Sequence, residues 1–410
     1  MTKTEIVDAA FRVWGRNFYR KTSLSQLAGE LKVSKPALYR HFANKQALTE
    51  AMTNKFLDDF ASFVREDFQS AMPEKDADEG ISAVVNAISR FFALNAYALI
   101  FSLINIYDRN FDTETIVKHL KSRGADMSIL KTVIEKKYIG DVKVIRLVFA
   151  TLTFLMSHFH KTRKSMCKQP SDDEIKTITS IINSAIKNGL GFSEKETAID
   201  FEILEKKIDE IGVTLNAQSE PFFKAVAESV AQAGPWGVSM DMVAKKLGLS
   251  KSSLYGHFKN KKEMLRLLFV TEFKRIIEFA RNGINLSSKT TEQLYLGIFS
   301  IAVYLRSRPE ILIAMDWIRT RKLDLGKPDK NFEIFRLFED INIESAQNTA
   351  EKEAQREQLK QRTSHWILFL LINILTNPTQ TKKNSDEKVQ NNDIRVLYKF
   401  ITLGLGGFIQ

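Results

Sequence analysis

Two short stretches of this chain carry the same reactive side chains in the same order. They are KPALYRHFANK, from Lys35 to Lys45, and KSSLYGHFKNK, from Lys251 to Lys261, 216 positions further on in a chain of 410 residues. Ammonium groups, a phenol, an imidazole and a carboxamide neutralise and hydrogen-bond anions, and an aromatic ring adds a stacking face. That is the chemistry of binding a polyanion, and a basic balance by itself fits nucleic acid and anionic lipid alike. Chemistry that breaks bonds is not expected. No metal-ligating pattern, phosphate-binding glycine loop or nucleophile motif occurs in the chain, so it reads as a binding protein without cofactor or metal rather than an enzyme. His119, His158, His160 and His365 show no liganding spacing, and His158 and His160, two apart on a predicted helix, point to different faces.

The charge sits where those stretches are. The formal net charge is +11. Residues 1–48 hold nine Lys/Arg against three Asp/Glu, and residues 220–265 hold seven against four. Hydrophobic residues at 44%, with 18 Gly and 8 Pro in the whole chain, suit a helical globular protein and exclude a disordered one. Cys167 is the one cysteine, which rules out an intrachain disulfide framework and fits a reducing cytoplasm. The opening MTKTEIVDAAFRVWG has no continuous apolar core of the kind that directs export. The apolar runs from Phe91 to Tyr107 and from His365 to Leu375 are too short or too polar to span a bilayer and read as buried helices.

The elements that must position the basic residues repeat in the same register. Apolar positions Ile6, Val7, Ala10, Phe11 and Trp14 match Phe222, Phe223, Val226, Ala227 and Val230, and both sets have helical periodicity. A second helix starts after Ser23, with Gln26 completing a capping box, and after Ser239 in the other copy. A break at Lys32-Val33 or Gly248-Leu249 precedes a third helix capped by Ser34 or Ser250. Two short helices joined by a tight turn form a helix-turn-helix. Asn44 and Asn260 are placed to cap a longer fourth helix. Eight of the fifteen positions from Ser34 to Leu48 are identical in the second copy.

Past residue 65 the identity fades while helical stretches continue, over roughly 80–107, 112–136, 142–163 and 172–190, then 290–305, 309–322, 329–376 and 388–405. Each half closes on a similar phrase, NGLGF (Asn188 to Phe192) and LGLGGF (Leu403 to Phe408). The expected organisation is an all-α chain of two tandem units. Residues 1–48 form a first helix-turn-helix head and 49–192 its helical body; 193–217 form a linker; 218–265 form a second head and 266–410 its body. Phe201, Leu204, Ile208 and Ile211 fall at helical spacing inside that linker. The polar run from Asn377 to Asn392 reads as a disordered loop.

Both heads resemble the tetracycline-repressor (TetR/AcrR) family of bacterial transcriptional regulators, through SLSQLAGELKVSKPALYRHFANKQAL (Ser23 to Leu48) and SMDMVAKKLGLSKSSLYGHFKNKKEML (Ser239 to Leu265). The resemblance implies a three-helix DNA-binding head on a helical ligand-binding body. Family members dimerise through their last two helices, bind a palindrome, and release it when a small molecule enters the body. Matched position by position, Lys35, Pro36, Ala37 and Tyr39 face the major groove in the first head, Arg40 and His41 lie beside the backbone, and Lys45 meets a phosphate at a helix N-terminus. Ser23, Ser25 and Ser34 belong to the same contact set. In the second head the set is Ser239, Ser250, Lys251, Ser252, Ser253, Tyr255, His257 and Lys261. Ser252, Ser253 and Gly256 replace Pro36, Ala37 and Arg40, so the heads are not expected to read the same half-site. Leu38, Phe42, Leu254 and Phe258 are head core.

The family analogy also places an apolar or aromatic effector among Phe92, Tyr97, Phe101, Tyr107 and Phe149 in the first body and Tyr304, Trp317, Phe335 and Trp366 in the second, although most of these aromatics are core. The helix pairs at about 142–190 and 355–405 are expected to meet within one chain as a pseudo-dimer, in preference to a dimer of chains. The partners are then double-stranded DNA and a small effector, with no membrane. The competing reading is a ligand- or protein-binding adaptor in which one or both heads have lost DNA binding, supported by the missing cation at Gly256.

Overall fold

Apolar residues at helical spacing and serine or asparagine caps dictate a chain of helices, and the computed structural model has them. It describes residues 2–16, 23–69, 77–105, 118–125, 142–163, 169–212, 221–320, 333–338, 341, 363–376 and 387–409. The first repeat contains α1 (Lys3–Arg16), α2 (Leu24–Glu30), α3 (Lys35–Tyr39), α4 (Lys45–Gln69), α5 (Ala77–Leu94), α6 (Ala96–Asn105), α7 (Val142–Thr162) and α8 (Asp172–Asn188). Then follow α9 (Glu194–Thr197) and α10 (Phe201–Gly212). The second repeat contains α11 (Pro221–Gly237), α12 (Met240–Leu247), α13 (Lys251–His257), α14 (Lys261–Ile284), α15 (Thr290–Ser307), α16 (Pro309–Thr320), α17 (Thr363–Leu375) and α18 (Glu387–Leu403). Tyr107 and most of 112–136 and of 329–362 lie outside the described residues, as do Cys167 and the side chain of Phe335.

Two units emerge, the first from residues 1–141, 151–184 and 408–410 and the second from 142–150 and 185–407. In the first, α1 packs on α2, α4 and α6, burying Ile6, Ala10 and Trp14 with Leu27, Leu38 and Leu48. The long α4 leaves the head and carries Phe56 and Phe60 into a cluster with Phe91 of α5, at ring separations of 6.2 and 5.2 Å. Phe101 of α6 joins that cluster through Phe56 and meets Phe11 of α1 edge to face at 5.1 Å.

The apolar run expected as one buried helix from about residue 80 to 107 is in fact two helices, α5 and α6, bent by 106° at Asn95. The last carbonyls of a helix lack partners within it. Here Phe91 O accepts from the backbone N–H and the side-chain amide of Asn95, each at 2.9 Å, and Phe92 O accepts from Nε2 of the buried His160 at 2.7 Å. Burial holds the His160 imidazole below its ordinary pKa. Among the described residues no single helix is long and apolar enough to cross a membrane.

In the second unit α11 packs on α12, α14 and α16, matching α1 on α2, α4 and α6. The stretch read as a linker contains α10, whose Leu204 and Ile208 are buried against α15 and α14 as their spacing requires. Glu205, between them, is buried too. It accepts two bonds from the Arg395 guanidinium (2.8 and 2.9 Å), one from the Tyr295 hydroxyl (2.5 Å) and one from Asn391 (3.1 Å). Burial pushes this carboxyl up, but Arg395, Tyr295 and Asn391 outweigh it and hold it below the usual carboxylate range.

Residues 142–150 and 185–192 come from the first repeat and lie in the second unit. There the ends of the two repeats pack against each other. Leu190 N–H donates to Ile401 O at 2.7 Å, and the N–H groups of Gly191 and Phe192 donate to Thr402 O at 3.2 Å. Gly189 and Gly404 both take positive φ, 56° and 60°.

Candidate nucleic-acid interface

Each head is built by side chains that satisfy free amides at helix starts. Ser23 Oγ accepts from Gln26 N at 3.2 Å while Ser23 N donates to Gln26 Oε1 at 2.8 Å, which is the capping box read from the sequence. Ser239 accepts from Met242 N at 3.2 Å. The recognition helices start in the same way, with Ser34 accepting from Ala37 N at 3.3 Å and Ser250 from Ser253 N at 3.0 Å. Asn44 and Asn260 cap α4 and α14 by accepting from Ala47 N (2.9 Å) and Glu263 N (3.0 Å).

The turn before the recognition helix has one geometry in both heads. Its αL residue is Lys32 (φ 55°) in the first and Gly248 (φ 66°) in the second. In both, the next amide reaches back across the turn at 2.9 Å, Val33 to Ala28 O and Leu249 to Ala244 O. That six-to-one bond closes a helix C-terminus and aims the following helix.

The aim decides which side chains face outward. Leu38 and Leu254 are 0% exposed, whereas Tyr39 and Tyr255 are 50% and 47% exposed, so the tyrosines project from the head instead of packing in it. Lys35, Pro36, Arg40, Lys251, Ser252, Ser253 and His257 are exposed as well, and Ala37 and His41 are half-buried. Ser23, Ser34 and Ser250 sit exposed at helix starts, with Ser25 and Ser239 half-buried. Phe42 and Phe258 are buried, as head core requires. Each recognition helix therefore brings its lysine and tyrosine, four residues apart, to one outer face.

Besides carrying Ser252 and Ser253 in place of Pro36 and Ala37, the second surface differs in three respects. The Lys45 ammonium lies 5.2 Å from the centroid of Trp14, and partial desolvation lowers its pKa from the ordinary lysine value. A cation over an indole face is held in place, and in the second head Val230 takes the position of Trp14. His257 lies 4.5 Å from the ring of Phe222, so an aromatic contact orients the second imidazole. The third difference is the missing cation. A Cβ built on Gly256 meets nothing within 4 Å, so an arginine there, as at Arg40, is sterically free. Gly256→Arg is expected to stabilise the helix by roughly 1 kcal/mol and to steepen the salt dependence of DNA binding by about 0.9 in log–log slope; titrations at several salt concentrations check it.

The aromatic residues proposed for an effector are distributed differently. Phe92 and Phe101 are buried in the phenylalanine cluster between α4, α5 and α6, and Tyr97 and Phe149 are half-buried. Trp366 is buried in α17, and Trp317 is half-buried with its ring edge close to Gly234 of α11. Tyr304 donates its hydroxyl to Glu272 at 2.7 Å, and Arg275 and Arg308 flank the same carboxylate at 3.1 and 3.4 Å. Sequence reading missed this fully buried acid, although Glu272 falls in register with Phe56 of the core, and a charge at a core position was the available signal.

Comparison with known proteins agrees with this geometry. The pattern of the bacterial regulatory proteins, tetR family, matches residues 6–52 and again residues 223–268. The chain is similar to the HTH-type transcriptional repressor ComR of Escherichia coli (strain K12), 28% identical over 120 residues that cover 29% of this chain and 56% of that protein. It is also similar to the tetracycline repressor protein class G of Vibrio anguillarum, 36% identical over 103 residues, 24% of this chain and 46% of that protein. The chain thus spans about half the length of these curated relatives. Both matched segments coincide with the Ser-capped helix-turn-helix heads, so the chain carries two segments in tandem that match the amino-terminal domain of the bacterial regulatory proteins, tetR family.

Proposed function

We propose that the chain is a cytoplasmic, ligand-responsive repressor that acts as a single-chain pseudo-dimer on an operator with two non-identical half-sites. Residues 1–48 and 218–265 are its heads, 49–192 and 266–410 its bodies, and 193–217 the connection. The observation that carries this reading is the outward lysine and tyrosine, four residues apart, on both recognition helices, beside a leucine and a phenylalanine that stay buried. The repressor sign rests on the names of both relatives. An apolar or aromatic effector bound among the body aromatics accounts for release.

The half-sites differ because the reading side chains differ. Pro36 and Ala37 offer apolar contact of the kind that favours a thymine methyl, whereas Ser252 and Ser253 offer hydroxyls that hydrogen-bond either partner of a base pair. Successive major grooves on one face of DNA lie about 34–36 Å apart, which sets the expected half-site spacing at one helical turn.

The test is selection of bound fragments from a random DNA pool with the intact protein, with Tyr39→Ala/Lys45→Ala and with Tyr255→Ala/Lys261→Ala. Each double variant is expected to lose about 10- to 100-fold in affinity, to relax one half-site, and to reduce the salt slope by about one. A site indifferent to the second variant would leave one reading head. Failure of the intact protein to enrich any sequence would favour the adaptor reading.

A further inference from the structure

The helices that close the two repeats, α8 and α18, have the same length and end on the positive-φ glycines Gly189 and Gly404. In that register Asp172 matches Glu387, Asn188 matches Leu403, and Ile178 matches Asp393. Both members of the last pair are buried, at 4% and 1% exposure. One closing helix therefore carries an isoleucine where the other carries an acid.

A buried carboxylate without a cation is costly. Asp393 has one: its carboxylate forms an ion pair with the ammonium of Lys143 on α7, whose side chain is 32% exposed. Lys143 belongs to the first repeat and Asp393 to the second, yet both lie in the second unit, together with the contacts of Leu190–Phe192 with Ile401 and Thr402. The close approach of the two glycines, Gly189 to Ile401 and Gly404 to Lys187, is alike from either side and does not distinguish one repeat from the other. The ion pair does. Two first repeats paired alike would set Lys143 against Ile178, and two second repeats paired alike would bury Asp393 without Lys143.

We propose that Lys143 and Asp393 determine the specificity of repeat pairing: they make the first repeat the partner of the second and exclude pairing of like with like. This rests on the pseudo-dimer reading above. Its consequence is that every assembled pair of bodies bears one head of each kind, which an operator with two different half-sites requires.

The test is a charge exchange in the full chain, read by thermal unfolding and light scattering. Lys143→Asp and Asp393→Lys are each expected to lower Tm by about 10 °C, since one partner of a buried pair is lost and replaced by repulsion. Lys143→Asp/Asp393→Lys in one chain is expected to regain that loss and to remain a single chain. The two single variants, unfolded and refolded together, are expected to form a two-chain species with restored Tm, because exchange of repeats sets the new acid of one chain against the new base of the other. Losses that simply add in the double variant would overturn the proposal. So would recovery in one chain without a two-chain species in the mixture, which would reduce the pair to a stabilising contact. A wild-type protein found as a stable dimer of chains would instead defeat the pseudo-dimer reading itself. Should a charge reversal block folding, Lys143→Met, Asp393→Asn and their combination replace it in a double-mutant cycle, where non-additive losses are expected and additive ones overturn the inference.

Discussion

Glu205→Ala is expected to destabilise the second unit by about 3 kcal/mol, the lower end of what breaking a buried ion pair costs. Glu205 holds α10 against α15 and α18 through four hydrogen bonds from Arg395, Tyr295 and Asn391. Its removal leaves the buried Tyr295 hydroxyl without its acceptor. It also leaves a guanidinium that is 29% exposed and therefore partly rescued by water, which is why the lower figure applies. The corresponding fall in Tm is about 6–12 °C for a unit of this size, measurable by calorimetry. The same carboxylate has a pH signature. Its folded pKa is lowered, so its contribution is fully present above the unfolded value of about 4.3 and is lost as pH falls through the folded value. Wild type and Glu205→Gln are expected to converge in stability under acid and to separate near neutrality. A Glu205→Ala protein that melts within a degree of wild type would show that α10 is not held by this carboxylate.

Gly404→Ala is expected to cost about 4 kcal/mol or more. A Cβ at that position would lie 2.4 Å from the Lys187 carbonyl carbon, 2.5 Å from its oxygen and 2.6 Å from Asn188 N. These are backbone atoms and cannot swing aside as a flexible side chain does. The alanine would also have to hold φ near +60°, a strain of roughly 1–2 kcal/mol. Overpacking adds about 1–3 kcal/mol, and the amide bonds from Leu190, Gly191 and Phe192 to Ile401 and Thr402 are worth about 1 kcal/mol each if forced apart. Gly189→Ala is expected to behave alike, since its Cβ would lie 2.4 Å from Ile401 O. Gly406 supplies the control. A Cβ there meets Lys187 O at 3.7 Å, an ordinary contact, so Gly406→Ala is expected to leave Tm within a degree or two. Equal melting of Gly404→Ala and Gly406→Ala would refute the close-packing argument.

The heads were legible in the sequence because everything that forms them is local. Ser23, Ser34, Ser239, Ser250, Asn44 and Asn260 cap amides three residues away, and Lys32 and Gly248 close turns with bonds five residues long. The outward placement of Tyr39 and Tyr255 and the inward placement of Leu38 and Leu254 follow from helical periodicity alone. Leu204 and Ile208 announced α10 by the same rule. The polar run from Asn377 to Asn392 misled because composition registers only burial of apolar surface. From Glu387 onward it is helix: Asn391 bonds Arg306 and Glu205, and Gln390 O accepts from Arg306. The bend at Asn95 was hidden for the opposite reason, since the run is apolar on both sides of it.

By itself, then, the sequence determined that the chain is all-α, that its helix-turn-helix is written twice, and which side chains of each recognition helix face outward. Tertiary structure alone decided that Glu205 meets Arg395, that Lys143 meets Asp393, and that Gly189 and Gly404 allow two backbones to touch. The physical reason is distance along the chain. Capping and periodicity act over three to five residues and leave a pattern in the residues themselves, whereas an ion pair or a backbone contact between residues some two hundred positions apart is fixed only when packing brings its two sides together.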